Sequence, residues 1–77
     1  MPEFIIRMEA ELKELKERID KLSKFIETPT FKYYVHYEKQ DLMEEQLGVM
    51  IRYQDLLERR LKIELDEYNE AKRCSNG

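Results

Sequence analysis

Three polar side chains recur every seven residues in the second half of the chain, and together they could bind a polar ligand: Gln46, Tyr53 and Arg60. At about 100° per residue, a helix would align them in one row. That row would lie between two apolar columns, made by Leu42, Val49, Leu56 and Ile63 and by Met43, Met50 and Leu57. A polar group enclosed among apolar side chains costs about 1–3 kcal/mol when it has no partner. The three residues therefore either bond to one another across a symmetric interface, which the residues alone favour, or bind a polar ligand.

Further cations and aromatic rings could recognise a nucleotide. Arg52 and Arg59 share a helical strip with Gly48, whose missing side chain would let another helix or a phosphate approach closely. The segment TPTFKYYVHY holds aromatic side chains that either plug the end of a helical hairpin or stack on a nucleobase. These side chains are Phe31, Tyr33, Tyr34 and Tyr37.

Residue types that would carry out catalysis are sparse. No serine, cysteine or carboxylate accompanies His36 in a motif for nucleophilic or acid–base catalysis. One histidine and one cysteine are too few for a structural zinc site. We therefore expect neither an enzyme nor a bound metal or other cofactor.

A first helix is predicted over residues 3–27. Its apolar residues alternate in steps of three and four, which is the pattern of a helix with one apolar seam. The seam consists of Ile5, Met8, Leu12, Leu15, Ile19, Leu22 and Ile26. Because the residue before a proline avoids helical geometry, the helix should end near Thr28. Thr28 and Pro29 could in turn begin a short helical turn through Tyr34.

The second helix is longer than the first, and its apolar arc is wider than one partner helix can cover. Antiparallel packing would place Leu15 near Met50 and Leu12 near Tyr53, and the uncovered part of the arc predicts self-association. The fold class is therefore all-α: an antiparallel two-helix hairpin that assembles into an oligomeric helical bundle. The predicted boundaries are a first helix at 3–27, a connection at 28–36, a second helix at 37–70 and a disordered tail at 73–77, with the hairpin domain spanning 1–72.

Composition excludes several classes of partner. The chain has 77 residues, 40% of them charged, with a net charge of −3 and no basic block, so duplex nucleic acid is not expected as a partner. No apolar run is long enough for a membrane span, and no leader segment is evident. Cys74 cannot form an intramolecular disulfide, which is typical of a reducing compartment.

Several residues resemble a known family. They are Lys21, Leu22, Phe25 and Ile26 at the end of the first helix, Phe31 in the connection, and Gln46, Gly48, Met50 and Tyr53 in the second helix. Over residues 8–61 the chain resembles the small phage proteins grouped as the anti-CBASS and anti-Thoeris hairpin domain, whose best-known members are cyclic-nucleotide sponges. The resemblance implies a homohexamer in the cytoplasm of the infected bacterial host. It also implies sequestration, without cleavage, of a cyclic di- or trinucleotide such as 3′,3′-cyclic GMP-AMP, so that CBASS effectors stay inactive.

One branch of that family contacts its ligand through a Gly-Tyr-Arg motif near the N-terminus, which this chain lacks. The candidate contacts are therefore taken from this sequence itself: Phe4, Tyr33 and Tyr53 for base stacking, and Arg7, Lys24, Arg52 and Arg60 for phosphate. The alternative is a structural or protein-interaction hairpin of a phage that has no nucleotide ligand.

Overall fold

Two long helices pack side by side in the computed structural model, which describes the backbone of residues 1–75 and the side chains of residues 1–72. The elements are α1 (Glu3–Ile26), α2 (Pro29–Tyr34) and α3 (Tyr37–Ser75). The described chain has no strand. The molecule measures 63 × 15 × 14 Å. The prediction of an all-α antiparallel hairpin is confirmed.

Thr28 separates α1 from α2. Its hydroxyl donates to the carbonyl of Phe25 at 2.6 Å and accepts from the amide of Phe31 at 3.2 Å, so one side chain serves the end of one helix and the start of the next. Pro29 occupies the first turn of α2, where a missing N–H is tolerated. The short helical turn predicted within the connection is therefore present, and α1 ends one residue before the predicted boundary.

Of the aromatic side chains in this connecting region, Phe31 alone is buried in the hairpin. It is 2% exposed, and its ring meets that of Phe25 edge to face at 5.8 Å. Tyr33, Tyr34 and Tyr37 are all exposed. The plug at the end of the hairpin is thus one phenylalanine, and the three tyrosines do not contribute to it.

The hairpin core forms around Leu57, which is 1% exposed. Leu57 packs among three buried residues of the α1 seam, with half-buried apolar side chains around them. The buried residues are Met8, Leu12 and Leu15, and the surrounding ones are Ile19, Met50 and Leu61. The predicted seam and the predicted proximity of Leu15 and Met50 are confirmed.

One apolar column of α3 has no cover. We call it the apolar row; it consists of Leu42, Val49, Leu56 and Ile63. Its side chains are between 41% and 66% exposed, because α1 packs against the neighbouring columns that contain Met50, Leu57 and Leu61. The hairpin therefore leaves apolar surface exposed, as the sequence indicates, and the assembly that would bury it stays a prediction.

The second helix extends beyond its predicted end at residue 70. α3 continues to Ser75, since the segment DEYNEAKR contains no glycine or proline and is rich in helix formers. Part of the tail predicted at 73–77 is thus helical, while residues 76 and 77 lie outside the described residues. No described helix has a stretch apolar and long enough to cross a bilayer.

Gly48 lies inside α3 with open space beside it. A Cβ atom built on this glycine would meet nothing within 4 Å. Replacing Gly48 with alanine is therefore expected to raise the free energy of unfolding by up to about 1 kcal/mol, the helix-propensity difference between the two residues. Urea denaturation followed by circular dichroism measures this change. The control is the opposite substitution, Ala10→Gly at an exposed position of α1, which should lower the free energy of unfolding. A loss of stability in Gly48→Ala would mean that a surface outside the described hairpin packs on Gly48.

Candidate functional site

A polar groove runs along one side of the hairpin between α1 and α3. Its volume is about 280 Å³. It is lined by Glu11, Glu14, Leu15 and Arg18 of α1 and by Gln46, Met50 and Tyr53 of α3. The α1 residues recur at helical steps of three and four, so they lie on one face, beside the seam that packs on α3. Two residues of the polar row of the sequence, Gln46 and Tyr53, form the opposite wall.

A hydrogen bond between the helices fixes the centre of the groove. The Tyr53 hydroxyl donates to the Glu11 carboxylate at 2.5 Å. This bond, together with partial burial and the negative charge of Glu11, raises the pKa of Tyr53, while the charge of Arg60 acts in the opposite direction. The phenol therefore stays protonated at neutral pH. Because Tyr53 is 39% exposed, its ring can still be approached from solvent.

Charges of both signs surround this tyrosine. Glu11 and Glu14 can accept hydrogen bonds from hydroxyl or N–H groups, whereas Arg18 in the groove and Arg60 nearby can hold a phosphate. Within the described chain, the Gln46 amide has no hydrogen-bond partner. The groove thus offers acceptors, donors and an aromatic face to one ligand.

The expected burial of the polar row is wrong for the single hairpin. Gln46, Tyr53 and Arg60 are all exposed, because α1 covers the next apolar columns and leaves this row at its edge. Burial within one chain therefore imposes only a small energetic penalty on these groups. Any further enclosure of them would have to come from a second molecule.

The seven predicted contact residues do not form one site within a protomer. Arg7 near the open end of the hairpin pairs with Glu3 at 2.9 Å, and Lys24 near the connection pairs with Asp20 at 3.0 Å. Arg7 and Lys24 are seventeen positions apart along α1, a distance of about 25 Å. The remaining five positions are Phe4, exposed beside Arg7; Tyr33, exposed on α2; Arg52, exposed on the outer side of α3; Tyr53, in the groove; and Arg60, beside it.

The α1 wall of the groove was not predicted from the sequence. Glu11, Glu14 and Arg18 are not among the predicted contact residues, and in the hairpin they line a cleft. A usable signal existed, since the predicted proximity of Leu12 and Tyr53 places the residue next to Leu12 within reach of the tyrosine. Glu11 is that residue.

A shallower groove of about 260 Å³ lies on the other side of the hairpin, lined by Glu9, Leu12, Lys13, Lys16 and Leu61. Lys16 pairs there with Glu58 across the helices at 3.4 Å. The hydrogen bond from Gln54 and the contact with Lys16 lower the pKa of Glu58. None of the five residues that line this groove is aromatic, so it lacks the stacking surface that the polar groove has.

Metal-binding side chains do not cluster in the part of the chain whose side chains are described. No three or more His, Cys, Asp or Glu residues lie close enough there to hold an ion.

The fold and the groove define a class: small antiparallel helical hairpins with a polar groove along one side and exposed apolar surface on the longer helix. Within that class, the chain belongs to the Sequestin family, whose family model matches residues 2–63. The match includes the whole of α1, the polar groove, Arg60 and the apolar row. The family name indicates a protein that sequesters a ligand. Comparisons with curated proteins and with solved structures found no significant match.

Proposed function

We propose that this protein is a phage anti-defence protein that binds and sequesters a cyclic oligonucleotide immune messenger, a cyclic di- or trinucleotide. Bound messenger is withheld from CBASS-type effectors, which therefore stay inactive. The observation that carries the proposal is the polar groove of a Sequestin chain, in which Tyr53 is held by Glu11 beside unpaired donors and cations. The messenger is made in the cytoplasm of the infected bacterium, and the protein acts there.

Each part of such a ligand has a matching group in the groove. The Tyr53 ring can stack on a base, as aromatic side chains do in single-strand nucleic-acid sites. Glu11, Glu14 and Gln46 can bond to ribose hydroxyls and base edges. Arg18 and Arg60 can pair with phosphate oxygens in a bidentate manner. The ligand is held by non-covalent contacts, so it is released intact.

In this proposal, each site is completed by more than one chain. At about 280 Å³, it falls just below the range of about 300–1,000 Å³ typical of small-molecule pockets. One groove therefore holds about one nucleotide of a cyclic dinucleotide, and the rest of the ligand needs a second surface. The proposed homo-oligomer, a hexamer by family resemblance, supplies that surface.

Thermal unfolding with a nucleotide panel tests the proposal. A cyclic dinucleotide at a hundred times its Kd stabilises the protein by about 2.7 kcal/mol, which for a chain of this size raises Tm by roughly 10–20 °C. The panel holds 3′,3′-cyclic GMP-AMP, other cyclic di- and trinucleotides, and cyclic ADP-ribose, which also combines a purine with two phosphates. Tyr53→Ala should lose the shift, and Tyr34→Ala, far from the groove and exposed, should keep it.

Three results would contradict the proposal. If no member of the panel raises Tm, cyclic nucleotides are not the ligands. If cyclic ADP-ribose alone raises Tm, the ligand is a messenger of a different class from the cyclic oligonucleotides. Recovery of a linear nucleotide after the protein is denatured would show cleavage, which mass spectrometry of the released ligand detects.

The exposed apolar row favours a second candidate function, a structural or protein-interaction hairpin without a nucleotide ligand. Its result in the same experiment is an intact oligomer with no thermal shift for any nucleotide. The two functions thus differ in one measurement.

A further inference from the structure

The connection between α1 and α3 presents three tyrosine rings to solvent. Tyr33 and Tyr34 of α2 are 80% and 86% exposed, and Tyr37 at the start of α3 is 66% exposed. Tyrosine is usually buried in large part, because most of its ring is apolar. We call these three side chains the aromatic tip. The hairpin core does not use them, since Phe31 alone closes this end of the molecule.

The backbone beneath the aromatic tip is fixed by side chains on both sides of it. Thr28 caps the start of α2. From the first turn of α3, the Gln40 amide donates to the carbonyl of Val35 at 2.7 Å and to that of Lys32 at 3.4 Å. A partner that binds the tip therefore meets a backbone that is already ordered, so little conformational entropy is lost on binding.

His36 adds a fourth ring to this end of the hairpin. Its Nδ1 atom accepts a hydrogen bond from the Glu38 amide at 3.3 Å, which orients the imidazole. The imidazole lies against the Tyr37 ring, with 4.4 Å between the ring centroids and 33° between the planes. Because Tyr37 is still 66% exposed, a further planar ring can extend this stack.

Positive charge accompanies the aromatic tip. Residues 28–37 form the longest stretch of the chain without a carboxylate. Residues 28–40 contain two lysines and one glutamate, which gives a net charge of +1 in a chain whose net charge is −3. Both lysines, Lys32 and Lys39, are exposed, and within the described residues neither ammonium group forms an ion pair. A phosphate is therefore attracted to this end, and the acidic remainder of the chain limits the contact to a short one.

Exposed rings flanked by lysines match the chemistry of a nucleic-acid single strand. Unpaired bases stack on aromatic side chains, and lysine pairs with the phosphates between them. Residues 33–37 span at most about 14 Å, which is room for about three bases. In a duplex the base faces are already stacked on one another and cannot use the rings. A protein partner fits less well, because an interface needs an apolar centre and Val35, the one aliphatic side chain of the stretch, is half-buried.

We propose that the aromatic tip binds a short stretch of single-stranded nucleic acid, with bases stacked on its tyrosine rings and phosphates held by Lys32 and Lys39. This site is separate from the polar groove. Tyr53 lies sixteen positions beyond Tyr37 along α3, about 24 Å away. The inference goes beyond the proposed function and does not depend on it, because no residue of the tip lines the groove.

Fluorescence anisotropy of a labelled oligothymidylate of about eight nucleotides, at low salt, tests the stacking. One base stacked on an aromatic ring contributes roughly five- to a hundredfold in affinity. The triple variant Tyr33→Ala/Tyr34→Ala/Tyr37→Ala should therefore bind about a hundredfold more weakly or worse. The corresponding triple phenylalanine variant keeps the ring faces and should bind within about threefold of the wild type. Tyr68→Ala, near the other end of α3, should bind like the wild type, and circular dichroism verifies the fold of each variant.

The salt dependence tests the phosphate contacts. Two phosphates held in a single strand give a slope of about −1.4 in a plot of the logarithm of the association constant against that of the salt concentration. Lys32→Gln/Lys39→Gln should bring this slope close to zero. Lys62→Gln, which removes an exposed lysine far from the tip, should leave the slope unchanged.

Four results would overturn the proposal. The first is a strand that does not bind at millimolar protein, including the case in which anionic phospholipid vesicles bind to the wild type and not to the triple alanine variant. The second is a DNA hairpin duplex that binds as tightly as the single strand. The third is an equal loss of affinity in the triple phenylalanine variant. The fourth is loss of strand binding in Tyr53→Ala, or displacement of the strand by 3′,3′-cyclic GMP-AMP, since either would place the strand in the polar groove.

Discussion

Replacing Leu57 with alanine is expected to remove most of the stability of the hairpin. Leu57 is 1% exposed and is surrounded by Met8, Leu12 and Leu15. Truncating a leucine in such a position costs about 2–5 kcal/mol through lost transfer energy and the cavity left behind. Domains are stable by about 5–15 kcal/mol, and one as small as this belongs at the lower end. The variant should therefore be partly unfolded in buffer at room temperature.

Denaturant titration followed by circular dichroism measures this loss, with both proteins at the same concentration because self-association adds to the apparent stability. The denaturant concentration at the midpoint of unfolding should fall, while the slope of the unfolding free energy against denaturant concentration stays the same. Ile51→Ala is the control, since Ile51 is of similar size and 51% exposed, and its cost should stay within about 1 kcal/mol. Equal losses in the two variants would mean that the surface around Leu57 is not the core of the hairpin.

The hydrophobic pattern was sufficient to predict the hairpin. The apolar seam runs from Ile5 to Ile26 without a break, and such a seam is buried by packing against another helix. Pro29 disfavours helical geometry at Thr28, so the first helix ends near that residue. Rules that depend only on neighbouring residues correctly predicted α1 and the cap at Thr28. The apolar seam and the short connection correctly predicted the antiparallel pairing. The end of α3 was less predictable, because no helix-stopping residue lies between Leu65 and Ser75.

The site was less predictable than the fold. A heptad pattern specifies which face of α1 meets α3, but the rotation that brings Glu11 rather than Arg18 to Tyr53 depends on how the side chains of both helices interlock. Arg7 and Lys24 were plausible phosphate ligands by type, yet each lies beside an acid four residues away and pairs with it. The four-residue spacing is itself a sequence signal for such pairs. Which cations lie near the groove depends on the packing of the two helices.

Introducing glutamate at Val49 and Leu56 together is expected to dissociate the protein into single hairpins. Both side chains lie at the centre of the apolar row and are substantially exposed in one chain, so the hairpin itself should keep its helices. In an interface, by contrast, each carboxylate would be removed from water without a partner, at a cost of several kcal/mol. Because symmetry repeats each substitution, the dissociation constant should rise on the order of a thousandfold or more.

Sedimentation velocity at micromolar concentration measures this change, and circular dichroism shows whether the fold is retained. Ile51→Glu adds a charge at an equally exposed apolar position on another face of α3, and it should leave the oligomer intact. If the Val49→Glu/Leu56→Glu variant stays assembled, the apolar row is not the interface. If the wild type is already a single hairpin, no second copy contributes to the groove. In the expected case, the separated hairpins should also lose nucleotide binding, because the proposed site needs a surface from a second chain.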